Sequence, residues 1–302
     1  IYTITFGLTW LLPGSPLDAD SGRRPPAEVA AAMERQYRLD DPRAFYLDYL
    51  DKASGFAWAR GSHERPFDLG PSLRHRNWSV NDILAAGLPV SVTLGAAALA
   101  LAVLIGIPAG IVGAAAPGSR LDAATLGLAL VGISLPSFVI GSVLLLVFAV
   151  WLPLVPVGVW GTPASVVLPA ITLSLPFAAY IARLTRAGLA AELEQDYVRT
   201  ARARGLSEYR VLLDHALRNA LIPVVSYLGP AAAMALTGSF VVEKVFAVPG
   251  LGTHFVDAVL SKDVTVVMGV VLVYAALLMI LNLVVDVLYR VIDPRIGWTG
   301  TG

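Results

Sequence analysis

The chain has 302 residues, 56% of them hydrophobic and only 15% charged, with a mean hydropathy of +0.70 and a formal net charge of zero. That balance excludes an ordinary soluble domain, and several apolar runs longer than about 18 residues define a polytopic α-helical membrane protein. With no cysteines, disulfides, thiolate metal sites and a cysteine nucleophile are excluded, and the neutral total gives no reason to expect nucleic acid as a partner.

Residues 1–12 are apolar up to Pro13-Gly14. At about 1.5 Å per residue they cannot cross a ~30 Å hydrocarbon core, so they read as the end of a first spanning helix that begins before Ile1. A cleaved signal peptide is the rival reading, but the basic n-region and the small-residue cleavage site are missing. Residues 13–85 then turn polar, with 10 Lys/Arg and 11 Asp/Glu. Two short helices are expected there. One starts near Pro25-Pro26 and carries Val29, Met33 and Tyr37. The other has Asp41 as N-cap and Pro42 at its first position, with Phe45, Tyr49 and Leu50 on one side.

Apolar runs recur at 88–115, 123–151, 165–187, 221–246 and 264–289, giving six spans with the N-terminal piece. Pro108, Pro136, Pro169, Pro176 and Pro230 fall inside them and read as kinks within a bundle. The short connections set the orientation. Connections 2–3 and 4–5 and the C-terminal flank hold ten arginines (120, 183, 186, 199, 202, 204, 210, 218, 290, 295), against Lys244 and Lys262 alone on the other side. The arginine side is cytoplasmic by the positive-inside rule, so both termini face the cytoplasm and 13–85 lies outside it.

The most organised connection is DYVRTARARGLSEYRVLLDHALRNALIP, residues 196–223. It reads as a helix over Glu192 to Arg204, a left-handed stop at Gly205, and a second helix capped by Ser207. On the second helix Tyr209, Leu213, Ala216 and Leu217 form an apolar stripe. Arg210–Asp214 and Asp214–Arg218 are i,i+4 pairs on another face. An apolar stripe beside a charged one suits a helix packed on the bundle with one side turned to a partner.

This loop resembles the EAA loop of ABC importer permeases, most closely in the dipeptide/oligopeptide/nickel group. The generic pattern is matched only at Ala201, Gly205 and Leu217, and the peptide-group version fits better. LLPGSPLD at 11–18, FDLGPSLR at 67–74, SLPSFVIG at 134–141, VEKVFAVPGLG at 242–252 and NLVVDVLYRVIDPRI at 282–296 also resemble signatures of that group. The resemblance implies an all-α type I importer permease fold: the end of a first span at 1–12, an extracytoplasmic segment at 13–85, and a five-helix permease domain at 86–302 carrying a cytoplasmic loop at 188–220.

It further implies a non-catalytic subunit of a bacterial or archaeal plasma (inner) membrane. The expected partners are a second homologous permease in a heterodimer, two P-loop ATPase subunits, an extracytoplasmic substrate-binding protein and membrane lipid. ATP and magnesium would be bound by the ATPases, and no cofactor by this chain. Arg199, Thr200, Ala201, Arg202, Arg204, Gly205, Leu206 and Ser207 would couple to the ATPase. Glu243, Pro249, Gly250 and Gly252 would lie at the outer gate or meet the binding protein; a plain Glu243–Lys244 interfacial pair and a simple outer turn at 249–252 stand beside that reading. Asp286 and Arg290 read as a structural ion pair or, alternatively, as a transport group. Peptide is the expected cargo, with nickel, opines and sugars as alternatives.

Other classes fit less well. His63, His75, His215 and His254 lack metal-ligand spacing, and Lys52, Lys244 and Lys262 follow no phosphate-loop glycine. No HExxH motif or GxSxG elbow appears, and the spans hold no histidine, which weighs against a membrane hydrolase. A gradient-driven carrier would be expected to show inverted repeats or mid-span carboxylates, and neither is visible.

Overall fold

A computed structural model describes residues 1–11, 28, 34–75, 77–156, 158–237 and 239–292, with the backbone alone at 285, 286 and 288–292. The helix expected near Pro25-Pro26, the LLPGSPLD signature beyond Leu11, and the Asp286 and Arg290 side chains lie outside the described residues. In chain order the main helices are α1 (Tyr2–Leu11), α2 (Pro42–Ala53), α3 (Val80–Ala115), α4 (Arg120–Ser134), α5 (Ser137–Leu145, continued by a wide π turn Leu146–Trp151) and α6 (Pro163–Leu193). Then come α7 (Asp196–Ala203), α8 (208–220), α9 (Ile222–Thr237), α10 (Phe240–Val245), α11 (Leu251–Ser261) and α12 (Val264–Ile292). Among the described residues the only β pairing is one isolated bridge, Pro71 with Ser79.

Among the described residues, four helical stretches are long and apolar enough to cross a membrane: Val80–Ala115, Pro163–Leu193, Ile222–Val245 and Val264–Val284. The run expected as one span at 123–151 is instead α4 plus α5, bent by 102°, and counts as a fifth only if the pair is taken together. The bend falls at Leu135, which precedes Pro136, a position where the α region is disfavoured, and sits extended at φ −83°, ψ 130°. Pro169, Pro176 and Pro230, by contrast, stay inside continuous helices. Pro108 likewise stays inside the continuous α3, with Leu104 four residues before it.

The backbone forms two compact units. The first joins residues 1–91 to 249–277. Asp41 caps α2, accepting from the Arg43 and Ala44 amides, and Pro42 fills the first helical position. Phe45 and Tyr49 are buried, while Leu50 turns outward. Their rings join Tyr2, Phe6 and Trp10 of α1 and pack with Leu69, Val80, Ile83, Leu251 and Met268. Buried Asp263 organises the polar part of this unit. Its carboxylate accepts from the Ser72 hydroxyl, the Arg74 amide at 3.2 Å and the Val266 amide at 3.3 Å, so it caps α12 and holds the 72–74 segment against it. Tyr49 Oη donates to the Thr265 carbonyl at 3.2 Å.

The second unit joins 92–248 to 278–302 and is built around α6, against which α4, α5, α7, α8, α9 and α10 all pack. Along α3, Gly106, Gly110 and Gly113 lie against α6. A Cβ at Gly106 would come within 2.6 Å of the Ala178 carbonyl, and one at Gly110 within 2.6 Å of the Ala182 carbonyl. Small residues at i, i+4 and i+7 let two backbones approach in the manner of GxxxG contacts. Where α4 meets α6, the buried Asp122 takes a bidentate pair from Arg186 (Nε–Oδ1 2.5 Å, Nη2–Oδ2 2.7 Å) and a further bond from the Gly118 amide at 2.9 Å.

Gly106→Ala and Gly110→Ala are expected to destabilise the detergent-purified chain by about 1–3 kcal/mol each. Gly127→Ala, where a Cβ meets nothing within 4 Å, should leave stability unchanged or slightly raised. Thermal midpoints of the three variants check this; equal midpoints would remove the close α3–α6 contact from the account.

Candidate functional site

The loop that follows α6 is ordered by its own small core. The sequence suggested one helix from Glu192 to Arg204, but α6 runs on to Leu193, Glu194 and Gln195 break it, and α7 starts at Asp196. Val198 and Ala201, three residues apart, share the inner face of α7. They are buried with Leu189 of α6, Ala114 of α3 and Val211, Ala216 and Ala220 of α8, and Leu206 packs at the edge. Of the eight candidate residues, Ala201 and Leu206 therefore face inward. Arg199, Thr200, Arg202, Arg204, Gly205 and Ser207 are exposed.

Gly205 ends α7 in the left-handed region at φ +80°. Its amide donates to the Arg202 carbonyl at 2.9 Å and the next amide, Leu206, to the Ala201 carbonyl at 3.4 Å, which closes the helix in a Schellman-type arrangement. A Cβ there would meet nothing within 4 Å, so the position needs glycine for its dihedral and not for space. Ser207 occupies the N-cap of α8 with extended backbone, yet its side chain makes no capping bond.

The second helix departs from the expected register. Residues Val211–Ala216 form a π turn, flanked by Glu208–Arg210 and Leu217–Ala220. The wider turn brings Val211 and Ala216, five apart, onto the same buried face. It also carries Tyr209 out of the expected stripe, to 74% exposure, and breaks the i,i+4 geometry. Among the described residues, Asp214 forms no ion pair with Arg210 or Arg218.

Other contacts hold the loop in place. Arg202 reaches Glu208 with two nitrogens, at 3.0 and 3.2 Å, and the Leu193 carbonyl with a third, at 3.5 Å. The Tyr197 hydroxyl bonds to Glu192 of α6 and accepts from Asn219 Nδ2 of α8 at 3.3 Å. Partial burial, helped by the Glu192 carboxylate, pushes the Tyr197 phenol upward, so it stays a neutral donor. Sequence reasoning missed Glu192, Tyr197, Glu208 and Asn219. Their partners lie 5, 6 and 22 residues away across helix breaks, where no helical period points.

The second candidate set divides between the two units. In one, Glu243 on α10 is fully buried and accepts from Ser239 Oγ at 2.5 Å, while the neighbouring Lys244 is exposed. In the other, Pro249 is exposed, but Gly250 and Gly252 are buried where the expected turn becomes the start of α11. Leu251 there donates its amide to Ser91 Oγ at 2.9 Å. No cluster of three or more metal-ligating side chains occurs among the described residues.

Together the fold and the loop define a polytopic helical membrane subunit with a short, stiffly mounted polar helix at the end of its most buried span. Residues 106–298 match the family of binding-protein-dependent transport system inner membrane components, and the chain belongs to that family. It is 42% identical to the dipeptide transport system permease protein DppB of Bacillus subtilis, over 98% of this chain and 92% of that protein. It is 42% identical to the oligopeptide transport system permease protein OppB of Salmonella typhimurium and 41% to that of Escherichia coli K12, in each case over 99% of this chain and 94% of the relative. An inward-facing MetNI methionine ABC transporter structure shares the fold, with a TM-score of 0.59 and 19% identity over 70% of this chain and 96% of that one. An amino acid ABC transporter gives a TM-score of 0.55 at 17% identity over 70% of this chain and 94% of that one. The chain is thus a multi-pass inner-membrane permease of the ABC importer class, with the type I fold.

A side chain at Gly205 must be forced to φ > 0, so trypsin should cut the loop arginines faster in Gly205→Val than in wild type. Loss of about 1–2 kcal/mol of local stability corresponds to roughly 5–30-fold when opening is in fast exchange. Gly205→Asn, which tolerates that conformation, should lie near wild type. Equal cleavage rates for all three would show that the left-handed cap does not order the loop.

Proposed function

We propose that this chain forms half of the translocation pathway of an ATP-driven importer of di- or oligopeptides. What carries the reading is the 41–42% identity, across nearly the full length, to relatives named as dipeptide and oligopeptide permeases. Its partners are a second homologous permease, two P-loop ATPases that bind ATP and magnesium, and an extracytoplasmic binding protein that selects cargo. Both termini lie in the cytoplasm, and residues 13–85 outside it.

In this reading α7 sits in a groove of one ATPase. Closure of the ATPase pair pushes on the face that bears Arg199, Thr200 and Arg204. Packing of Val198 and Ala201 against Leu189 favours transfer of that push to α6. Rigid helices transmit displacement, and side chains with high rotamer entropy do not, so a small dry contact serves better here than a layer of long polar chains. Pro249 remains the exposed member of the second set and is the one suited to meet the binding protein.

Four measurements test this. The complex purified gently from its native membrane should contain a second permease, P-loop ATPases and a binding protein; the chain alone, or only with copies of itself, would favour a gradient-driven carrier. Reconstituted with those partners, it should take up labelled tripeptide, and uptake of nickel, an opine or a sugar in its place would reassign the cargo. Gly205→Val should still insert and support ATP hydrolysis while losing most uptake. Because the chain has no cysteine of its own, Ser62→Cys and Arg204→Cys report the orientation: an impermeant maleimide should label the first in intact cells and the second only after permeabilisation.

A further inference from the structure

Five arginines lie on the loop, and the structure treats one of them differently. Arg199 pairs only with Asp196 on its own helix, at 3.4 Å, with both side chains largely exposed. Arg204, Arg210 and Arg218 form no ion pair among the described residues. Arg202 instead spends its whole guanidinium inside the loop. Nε and Nη2 take the two carboxylate oxygens of Glu208 at 3.0 and 3.2 Å, and Nη1 points to the Leu193 carbonyl at 3.5 Å. That carbonyl belongs to the last turn of α6, where no helical amide remains to satisfy it. One planar fork thus touches the end of α6, the last turn of α7 and the first residue of α8.

We infer that Arg202 and Glu208 are positioning residues that set the angle of α7 against α6 and α8, and that Arg202 is not itself a contact for the ATPase. This rests on the coupling role proposed above. Gly205 fixes the dihedral at one point of the bend but carries no side chain to brace it, and the pair spans that bend from both sides. Its two side chains are 40% and 73% exposed, so it adds little to global stability. Its effect falls on the direction in which α7 is presented, so removing it changes coupling more than folding. The two-point fit to a carboxylate is available to arginine and not to lysine.

The test is a double-mutant cycle in the reconstituted complex, read as peptide taken up per ATP hydrolysed, beside complex yield and thermal midpoint. Arg202→Ala and Glu208→Ala are each expected to lower that ratio about tenfold, the double variant no further, and Arg202→Lys to fail to restore it, with yield and midpoint unchanged. A wild-type ratio in Glu208→Ala beside an impaired Arg202→Ala would overturn the inference, because Arg202 would then act on the partner directly. Additive losses, or losses that follow the thermal midpoint, would overturn it as well. The underlying reading is checked separately by Thr200→Cys in the otherwise wild-type chain, linked to the ATPase subunits with a thiol–amine reagent. If no link forms, the coupling role fails; if it forms and the cycle shows no coupling between the two residues, only the positioning role fails.

Discussion

The close approach of α3 to α6 is the contact on which the second unit depends. Lipid offers no hydrophobic gain for bringing two apolar helices together, so the attraction must come from backbone proximity and dense packing. Gly106, Gly110 and Gly113 supply the proximity, and Ala178, Ile181, Ala182 and Thr185 the opposing surface. The Asp122–Arg186 pair then ties α4 to the same helix, with the Gly118 amide completing the carboxylate's shell. In a low-dielectric setting such a pair persists only because its partners are both present, so it constrains where α4 can sit.

Because α6 is fixed in this way, whatever is attached to its end inherits a defined position. Leu189, one turn before that end, is the floor of the small core that holds Val198, Ala201, Val211 and Ala216. The loop thus separates two tasks by face. Small and branched apolar side chains look inward, where exact volume fixes the distance between helices, and Arg199 and Arg204 look outward, while Arg202 turns its charge onto Glu208 within the loop. Tyr197, bonded to Glu192 and Asn219, ties the start of α7 to both neighbours at once.

The first unit applies a related solution with polar groups. Asp263 is buried, and among the described residues its carboxylate accepts from the hydroxyls of Ser72 and Thr265 and the backbone amides of Arg74 and Val266. Several short hydrogen bonds replace water around the carboxylate, and the same atoms cap a spanning helix and anchor an extramembrane segment. Aromatic packing of Tyr2, Phe6 and Trp10 on Phe45 and Tyr49 then closes the apolar side of that unit.

Much of this architecture was legible in the sequence because its causes are local. Long apolar runs must become helices where the backbone can find no water, Asp41-Pro42 must start a helix, and Gly205 must end one, since each follows from the chemistry of one or two residues. Only the tertiary structure decided features that depend on what lies across from a residue. The proline at 136 breaks its helix while those at 108, 169, 176 and 230 do not, a difference that the presence of a proline by itself does not announce. The π turn at 211–216 arises because Val211 and Ala216 must share one buried face, a demand set by Leu189 and Val198 and not by their own sequence. Arg202 looks like its neighbouring arginines on paper; only the folded loop brings Glu208 and the Leu193 carbonyl to it, because a left-handed glycine turn carries the chain back where no helical spacing would.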